Sequence, residues 1–297
     1  MDGILNLNKP QGLTSHDVVD RVRAVAGQRR VGHAGTLDPM ASGVLLVCLG
    51  RATRVAEYLM ASPKRYRARV CLGLTTDTLD AEGMVVEERS VEMDRAAVEA
   101  ALRQFQGRIL QVPPMYSALR YKGKRLYQLA RQGVTVEREP RPVEIYRLEM
   151  MEWTPPELVL EVSCSPGTYV RSLAHDLGQV LGCGAHLVGL VRLACGDFRL
   201  EEAAPLDELT HERLPFLLLP LDAALRCYPA LRLNEEAALA VRSGRAVAGP
   251  SPVQSPSPLF PAEGRSLARA YGPDGAFLAV MEYRSDRGLW HPRKVFV

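Results

Sequence analysis

The stretch RRVGHAGTLDPMASG, from Arg29 to Gly43, places a single carboxylate, Asp38, in a glycine-rich segment between two basic residues and an apolar run. An Asp-Pro pair is typical of an exposed turn, because aspartate caps its own backbone and proline fixes the next φ angle. That interpretation explains Asp38 and Pro39 without assigning them any function. Evidence for a chemical role of this carboxylate must come from the rest of the chain.

The composition is that of an ordinary globular protein. The 297 residues suffice for one large or two unequal domains with a substantial core. Hydrophobic residues make up 47% of the chain and charged residues 24%, which is typical of soluble proteins. No apolar run reaches membrane-spanning length, and the N-terminus lacks a signal-peptide pattern, so we expect a cytoplasmic protein.

Metal and nucleotide sites have no support in the sequence. The six cysteines are scattered without a C-x-x-C pair, and the six histidines show no H-x-x-x-H spacing. There is no G-x-G-x-x-G motif and no Walker loop. We therefore expect reduced, mostly buried thiols, no metal ion and no nucleotide cofactor.

Basic charge is concentrated in one segment. The formal net charge is only +3, but residues 120–141 hold seven basic side chains against two acidic ones, with tyrosines interleaved. Basic side chains can bind phosphates and aromatic rings can stack on bases, a combination that suits nucleic acid. A solvated basic face is an equally good explanation of this segment alone.

Helical and strand-like segments alternate along the chain. Tyr66–Leu72 alternates apolar and basic residues, and Leu158–Cys164 is apolar enough for a central strand. The strict βαβ rhythm of a doubly wound sheet is absent, which favours an α+β domain with a mixed, mainly antiparallel central sheet and flanking helices. Three helices with start and stop signals are predicted, from Thr14 or Ser15 to Gly27, from Asp94 to Gly107 and from Ser172 to Gly182.

The composition changes after about Pro229. Residues 231–244 predict a short helix, and the Pro/Ser-rich stretch 250–261 predicts an irregular loop. Residues 265–283 read as two short strands around a Gly-Pro-Asp-Gly turn. The sequence therefore predicts a small β-rich C-terminal domain.

Five stretches, in one order, resemble the bacterial tRNA pseudouridine-55 synthase family of TruB type. The resemblance implies a catalytic domain over residues 1–228, an RNA-clasping insertion at about 113–142, and a small C-terminal β-barrel of the PUA type over 229–297. The matching stretches are NKPQGLTSHDVV (8–19), GHAGTLDPMASGVLLVCLGRATR (32–54), KRYRARVCLG (64–73), PPMYSALRYKGKRLYQLARQG (113–133) and GTYVRSLAHDLG (167–178).

The resemblance implies a reaction that needs no cofactor. The enzyme breaks the bond between C1′ and N1 of uridine 55 in the T arm of tRNA, turns the uracil and rejoins it through C5. The target lies inside the folded T arm, so it must flip into a pocket at a cost of a few kcal/mol of lost stacking. The implied partner is tRNA alone, bound by a monomer with no membrane and no obligatory protein partner.

Three residues match the family's catalytic positions. Asp38 matches the catalytic aspartate, Arg171 the arginine that pairs with it, and Tyr66 the tyrosine that stacks on the flipped uracil. The sequence leaves open whether the carboxylate attacks the base or the sugar, or takes a proton from C2′. It must be ionised, and a nearby guanidinium opposes the rise in pKa that burial causes. Gly35 leaves room for close approach, and Lys9 is interpreted as structural.

Other matching positions are predicted to bind substrate. Tyr169 lines the base pocket, Leu190 supplies its apolar wall, and His33 fills the T loop as the uridine leaves. Val191 stands where the family usually has the first arginine of a Leu-Arg-Arg triplet, and Arg192 remains as a predicted RNA contact. In the basic segment, the predicted RNA contacts are Lys122, Lys124, Arg125 and Arg131.

Two alternatives remain open at this point. A non-catalytic RNA-binding protein or tRNA chaperone would use the basic segment and the C-terminal domain without the reaction. A guide-RNA-dependent synthase would share the catalytic motifs, but such relatives lack the long 113–133 insertion that this chain contains.

Overall fold

The computed structural model describes residues 1–252 and 266–296. From position 253 onward, the stretch predicted as an irregular loop at 250–261 lies outside the described residues. Within the two described ranges, no helix is long and apolar enough to cross a membrane.

The strands and helices follow the mixed order that the sequence predicts. The strands are β1 (Gly3–Lys9), β2 (Val31–His33), β3 (Ala41–Leu49), β4 (Lys64–Leu72), β5 (Leu74–Thr76), β6 (Val85–Glu88), β7 (Gly107–Gln111), β8 (Arg120–Tyr121), β9 (Lys124–Arg125), β10 (Arg141–Thr154), β11 (Glu157–Cys164), β12 (Ala185–Cys195), β13 (Phe198–Arg199), β14 (Ala204–Pro205), β15 (Ala230–Arg232), β16 (Leu267–Tyr271), β17 (Phe277–Arg284) and β18 (Leu289–Val295). The α-helices are α1 (Ser15–Ala26), α2 (Ala56–Met60), α3 (Arg95–Arg103), α4 (Leu126–Ala130), α5 (Val170–Leu181), α6 (Leu214–Leu217) and α7 (Glu235–Arg242), and short 3-10 helices cover Gly50–Arg54, Leu200–Glu202, Leu206–Glu208 and Leu221–Leu225.

A ten-stranded sheet forms the centre of the molecule. Its strand order is β14-β1-β3-β12-β4-β11-β10-β7, with β13 paired to β12 and β2 to β3. The β1–β14 and β3–β12 pairs are parallel, and the others in this sheet are antiparallel. The prediction of a mixed, mainly antiparallel central sheet is confirmed.

Alternation along β4 explains its place in this sheet. Tyr66, Ala68 and Val70 point into the core, while Arg67 and Arg69 on the opposite face are exposed. The buried face packs against residues of α1, α3 and α5 in one large apolar cluster. The strand therefore carries Tyr66 into the interior beside the helices.

The predicted helices occur, with corrected ends. Thr14, not Ser15, caps α1 through a capping box with Asp17, and Gly27 ends it in a left-handed conformation. Helix α3 ends before Gly107, which opens β7 with φ +87°. Helix α5 begins two residues before Ser172, whose hydroxyl donates to the Val112 carbonyl at 2.9 Å and caps nothing.

The C-terminal strands form a separate four-stranded sheet in the order β15-β16-β17-β18. The predicted pair of strands around the Gly-Pro-Asp-Gly turn is confirmed as β16 and β17, whereas the helix predicted over 231–244 is shorter because Leu231 belongs to β15. Within the described residues these strands do not close into a barrel, so the β-barrel prediction is not confirmed.

The C-terminal sheet shares a core with the central sheet. Ile4 and Leu46 of the central sheet lie in one apolar cluster with Val280 and Phe296. The Arg54 guanidinium lies 4.8 Å from the centre of the Phe296 ring, a distance at which a cation is attracted to an aromatic face. The two sheets are therefore packed together through apolar and charged contacts.

The predicted insertion leaves the central sheet between β7 and β10, over residues 112–140, and we call this segment the insertion. It contains the short β8–β9 hairpin and α4. Its two ends are held side by side, because Gln111 pairs with Arg141 where β7 meets β10. The insertion thus stands on two adjacent strands at the edge of the sheet.

Candidate active site

Two cavities meet at Asp38. The larger, about 800 Å³, lies between the start of α1, the loop 77–84 and the insertion. The smaller, about 280 Å³, is lined by Tyr66, Tyr169 and Leu190. Asp38 and Arg171 line both. The structure therefore brings the three predicted catalytic residues and two predicted base-pocket residues to one place.

The backbone next to Asp38 is held by a buried hydroxyl. The Ser15 side chain accepts from the Leu37 N–H at 2.8 Å and donates to the Leu37 carbonyl at 3.1 Å. Ser15 is the first residue of α1 and is buried. A hydroxyl can donate and accept at once, so one side chain satisfies both polar backbone groups of the residue before Asp38.

Pro39, on the other side of Asp38, is held through its backbone carbonyl. Its carbonyl accepts from the Gly12 N–H at 2.9 Å and from the buried ammonium of Lys9 at 3.4 Å. Lys9 also donates to the carbonyls of Pro10 and Leu13. Burial lowers the pKa of Lys9 to about 8, and the Asp38 carboxylate opposes that shift.

Arg192 braces the same loop. Its guanidinium donates to the carbonyls of Gly35 at 3.1 Å, Thr36 at 3.3 Å and Val44 at 2.6 Å, and the residue is 1% exposed. This burial argues against the direct RNA contact that we predicted for Arg192. Its guanidinium is committed to the backbone of the loop that carries Asp38.

The backbone conformation explains why a glycine stands at position 35, a reason that the sequence did not show. Its φ angle is +114°, in a region that side chains disfavour, whereas a Cβ there would meet only the Arg192 guanidinium, at 3.7 Å. Glycine is therefore required by the course of the backbone more than by lack of space.

Arg171 lies between two carboxylates. Its Nε is 3.0 Å from Asp38 Oδ2 and its Nη1 is 3.2 Å from Asp80 Oδ2. Nη1 also donates to the Thr78 carbonyl at 3.3 Å, and Nη2 donates to the Tyr116 carbonyl at 2.8 Å. Arginine suits this position because its planar fork offers several fixed donors. The partners on several sides fix the plane of the guanidinium.

Asp80 is a site residue that the sequence did not reveal. Together with Asp77 and Glu82 it forms a run of acids in the loop 77–84 that reads as a solvated turn. In the structure Asp80 is buried, and its carboxylate also accepts from the Thr78 hydroxyl and the Glu82 N–H. Arg171, the partner of Asp80, lies far along the chain, so only the folded structure shows that the two side chains meet.

The electrostatics at Asp38 are finely opposed. Burial raises the pKa of its carboxyl, the Arg171 guanidinium lowers it, and the nearby Asp80 carboxylate raises it, with a net rise. About 33% of the Asp38 side chain is nevertheless exposed, against 6% for that of Arg171. A ligand in the cavities can therefore touch Asp38 directly. It would contact the Arg171 side chain much less, because that side chain is almost fully buried.

The smaller cavity has a neutral aromatic wall. Burial raises the pKa of the Tyr66 phenol to about 12, and burial also raises the pKa of Tyr169. Both rings are thus uncharged at neutral pH, and Leu190 is buried beside them. An uncharged, largely apolar wall of this kind can stack on a nucleobase.

His33 and two arginines of the insertion line the larger cavity. Burial lowers the pKa of His33, which favours the neutral ring, and Arg125 and Arg131 line the same cavity as Asp38. Lys122 and Lys124 are exposed and do not line this cavity. The predicted RNA contacts therefore separate into Arg125 and Arg131, which line the larger cavity, and Lys122 and Lys124, which do not.

No group of His, Cys, Asp or Glu side chains suited to a metal ion occurs in residues 1–252 and 266–296. All six cysteines are unpaired, and four of them are buried.

Two family models and two relatives match this chain. Residues 23–170 match the family model of the TruB family pseudouridylate synthase N-terminal domain, and residues 171–226 match that of the tRNA pseudouridylate synthase B C-terminal domain. A tRNA pseudouridine synthase B of Dehalococcoides mccartyi is 43% identical over 302 residues, covering 100% of this chain and 97% of that protein. The Haemophilus influenzae protein of the same name is 47% identical over 254 residues, covering 83% of this chain and 81% of that protein.

A solved structure also resembles the whole chain. A Cbf5-Nop10-Gar1 complex matches with a TM-score of 0.74 and 26% identity, covering 99% of this chain and 85% of the matched one. The similarity extends across the central sheet and the C-terminal strands alike.

Proposed function

The chain belongs to the TruB family of pseudouridylate synthases and isomerises a uridine of tRNA to pseudouridine, and we propose that its target is uridine 55 in the T arm. The family resemblance of the five motifs supports this target. We further propose that it acts as a monomer, with residues 1–228 as the catalytic domain, the insertion as an RNA clasp and residues 229–297 as a PUA-like RNA-binding domain.

The observation that carries the proposal is the position of the Asp38–Arg171 pair. Both residues line the small cavity and the large one, and Asp38 alone of the two is well exposed to them. A uracil in the small cavity, against Tyr66 and Leu190, leaves its ribose beside the carboxylate. The tRNA strand then follows the larger cavity towards the insertion.

The reaction conserves every atom of the substrate. The C1′–N1 bond breaks, the uracil turns in its pocket, a C1′–C5 bond forms, and the proton on C5 leaves while N1 gains one. Asp38 is the group that acts on the nucleoside and must be anionic to do so. Arg171 holds the carboxylate in place and opposes the rise in its pKa that burial causes.

The flipped base needs compensation for its lost stacking. Tyr66 stacks on the uracil, a contact worth about 1–3 kcal/mol, and Tyr169 and Leu190 close the pocket. His33, whose lowered pKa favours the neutral ring and which lines the larger cavity, fills the space that the uridine leaves in the T loop. These contacts together offset the cost of flipping.

The test is to map pseudouridine in bare tRNA transcript incubated with the purified protein alone. We expect one modified site in the T arm and none in a transcript that carries cytidine at that position. Modification elsewhere in the transcript would contradict the proposed target.

One alternative is a synthase that shares the catalytic motifs but works only with a guide RNA. The same incubation separates the two, because a guide-dependent enzyme leaves bare transcript unmodified. The other alternative, a tRNA chaperone without the reaction, predicts tRNA binding with no pseudouridine in any transcript.

A further inference from the structure

The end of β7 and the start of α5 are joined by a buried amide to which the site described above assigns no task. Gln111 is 1% exposed and lies where the chain enters the insertion. Its Oε1 accepts from the Tyr169 backbone N–H at 2.7 Å, and its Nε2 donates to the Tyr169 carbonyl at 3.0 Å. The amide thus binds both polar backbone groups of a single distant residue.

That residue is the N-cap of α5, the position at which the helix begins. Its side chain makes no capping hydrogen bond, although helix starts are usually stabilised by a local side chain. Gln111 instead holds the N–H and the carbonyl of Tyr169 in place, and Arg171 follows two residues later. Any movement of Tyr169 therefore moves the guanidinium that meets Asp38.

Two more hydrogen bonds connect the start of α5 with the insertion. The Ser172 hydroxyl donates to the Val112 carbonyl at 2.9 Å, and Arg171 Nη2 donates to the Tyr116 carbonyl at 2.8 Å. Both acceptors lie in the first residues of the insertion. The start of α5 and the base of the insertion are consequently held as one unit, with Gln111 at its buried end.

We propose that Gln111 is a positioning residue for the isomerisation: it ties the Tyr169–Arg171 turn to the base of the insertion and so sets Arg171 against Asp38. This inference rests on the proposed function, in which Asp38 and Arg171 act on the nucleoside. It connects tRNA binding to chemistry, because the segment that clasps the RNA is bonded to the segment that orients the carboxylate.

The test replaces Gln111 with methionine, which keeps the length of the side chain and removes both hydrogen bonds. We expect the single-turnover rate to fall about tenfold to a hundredfold, the cost of a small misplacement of a reacting group. The tRNA dissociation constant stays unchanged. The matched control is Gln106→Met, at an exposed position just before β7, and it keeps the wild-type rate.

The pH profile separates positioning from general stability. An Arg171 held less firmly lowers the Asp38 pKa less, so the acid limb of the rate moves to higher pH in Gln111→Met. A purely structural role would lower the melting temperature and leave that limb where it is. If Gln111→Met does not fold, Gln111→Asn is measured instead, since it keeps an uncharged amide but is one methylene too short to bond both backbone groups of Tyr169.

Each outcome decides the inference. A folded variant with the wild-type rate and the wild-type acid limb overturns it, and so does a failure of both variants to fold, which would make Gln111 a stability residue only. Asp38→Asn serves as the reference in the same assay. An active Asp38→Asn rejects the proposed catalytic role of Asp38, on which this inference rests, whereas an inactive one leaves that role standing whatever Gln111 does.

Discussion

The loop that carries Asp38 and the insertion that faces it are built in opposite ways. The loop is fixed by buried polar groups: Ser15 holds Leu37 on both sides, and Arg192 donates to the carbonyls that precede Asp38. The outer hairpin of the insertion carries its basic side chains in solvent, with Lys122 over the Tyr121 ring. Chemistry on a ribose needs fixed geometry, whereas phosphate contacts work through charge.

This contrast predicts that rate and affinity can be changed separately. Substitutions around Asp38 should lower the rate of isomerisation and spare tRNA binding. Substitutions in the insertion should weaken binding and its salt dependence and spare the rate at saturating tRNA.

The largest effect is expected from Arg171→Lys. Lysine keeps the charge but cannot span Asp38, Asp80 and the Tyr116 carbonyl at once, so we expect the single-turnover rate to fall about a hundredfold. Binding of tRNA, measured by filter retention, should be unchanged. The same substitution at exposed Arg103 is the control, and a near-normal rate in Arg171→Lys would contradict the assigned role.

A smaller effect is expected from Ser15→Ala. The change removes both hydrogen bonds to Leu37 and leaves buried backbone groups unpaired, which costs about 1–3 kcal/mol. Because Asp38 is then less well placed, we expect a rate loss of about tenfold. Single-turnover kinetics measure it, with Ser90→Ala, at an exposed position, as the control. Equal losses of rate and tRNA affinity would contradict a role confined to the loop.

The next effect concerns two pairs of basic residues in the insertion, of which only one pair lines the larger cavity. For that pair, Arg125→Gln with Arg131→Gln, we expect the salt dependence of tRNA binding to flatten by about 0.7–0.9 log units for each phosphate that is no longer neutralised. Lys122→Gln with Lys124→Gln, outside the larger cavity, should flatten it less. The rate at saturating tRNA should stay at the wild-type value in both. An unchanged slope in both pairs would make this segment only a solvated face.

The smallest effect is a shift along the pH axis. Burial raises the pKa of Asp38 above the ordinary value of 3.8, and the reaction needs the anion, so the rate falls as the pH drops through that raised pKa. The insertion variants should keep this acid limb in place. A rate that holds constant down to the ordinary titration range of aspartate would contradict an anion held in a buried site.

Much of the fold follows from local patterns in the sequence. The alternation in β4 and the cap signals of α1 depend on neighbours within a few residues, and both were predicted. The end of α3 before Gly107 was not, because that glycine serves the turn into β7 rather than a helix end. The predicted barrel is not confirmed within the described residues, and strand closure depends on pairings that no local pattern specifies.

The site was predicted only where a motif marks it. Asp38 and Arg171 stand in recognisable stretches, but Asp80 looks like one more acid in a polar loop until Arg171 is placed beside it. Arg192 was assigned to RNA from its place in the family's Leu-Arg-Arg triplet, and its burial against three carbonyls argues against that prediction. Burial of a charged group is set by tertiary packing, which a single sequence does not display.

The most direct test of the account is Asp38→Asn assayed on tRNA carrying tritium at C5 of its uridines. Isomerisation must break the C5–H bond of the target, so tritium release reports the reaction itself. We predict that the variant binds tRNA with wild-type affinity and releases no tritium, while Asp94→Asn, which retains a helix-capping side chain, releases it normally. Tritium release by Asp38→Asn at the wild-type rate would contradict the claim that this carboxylate performs the chemistry.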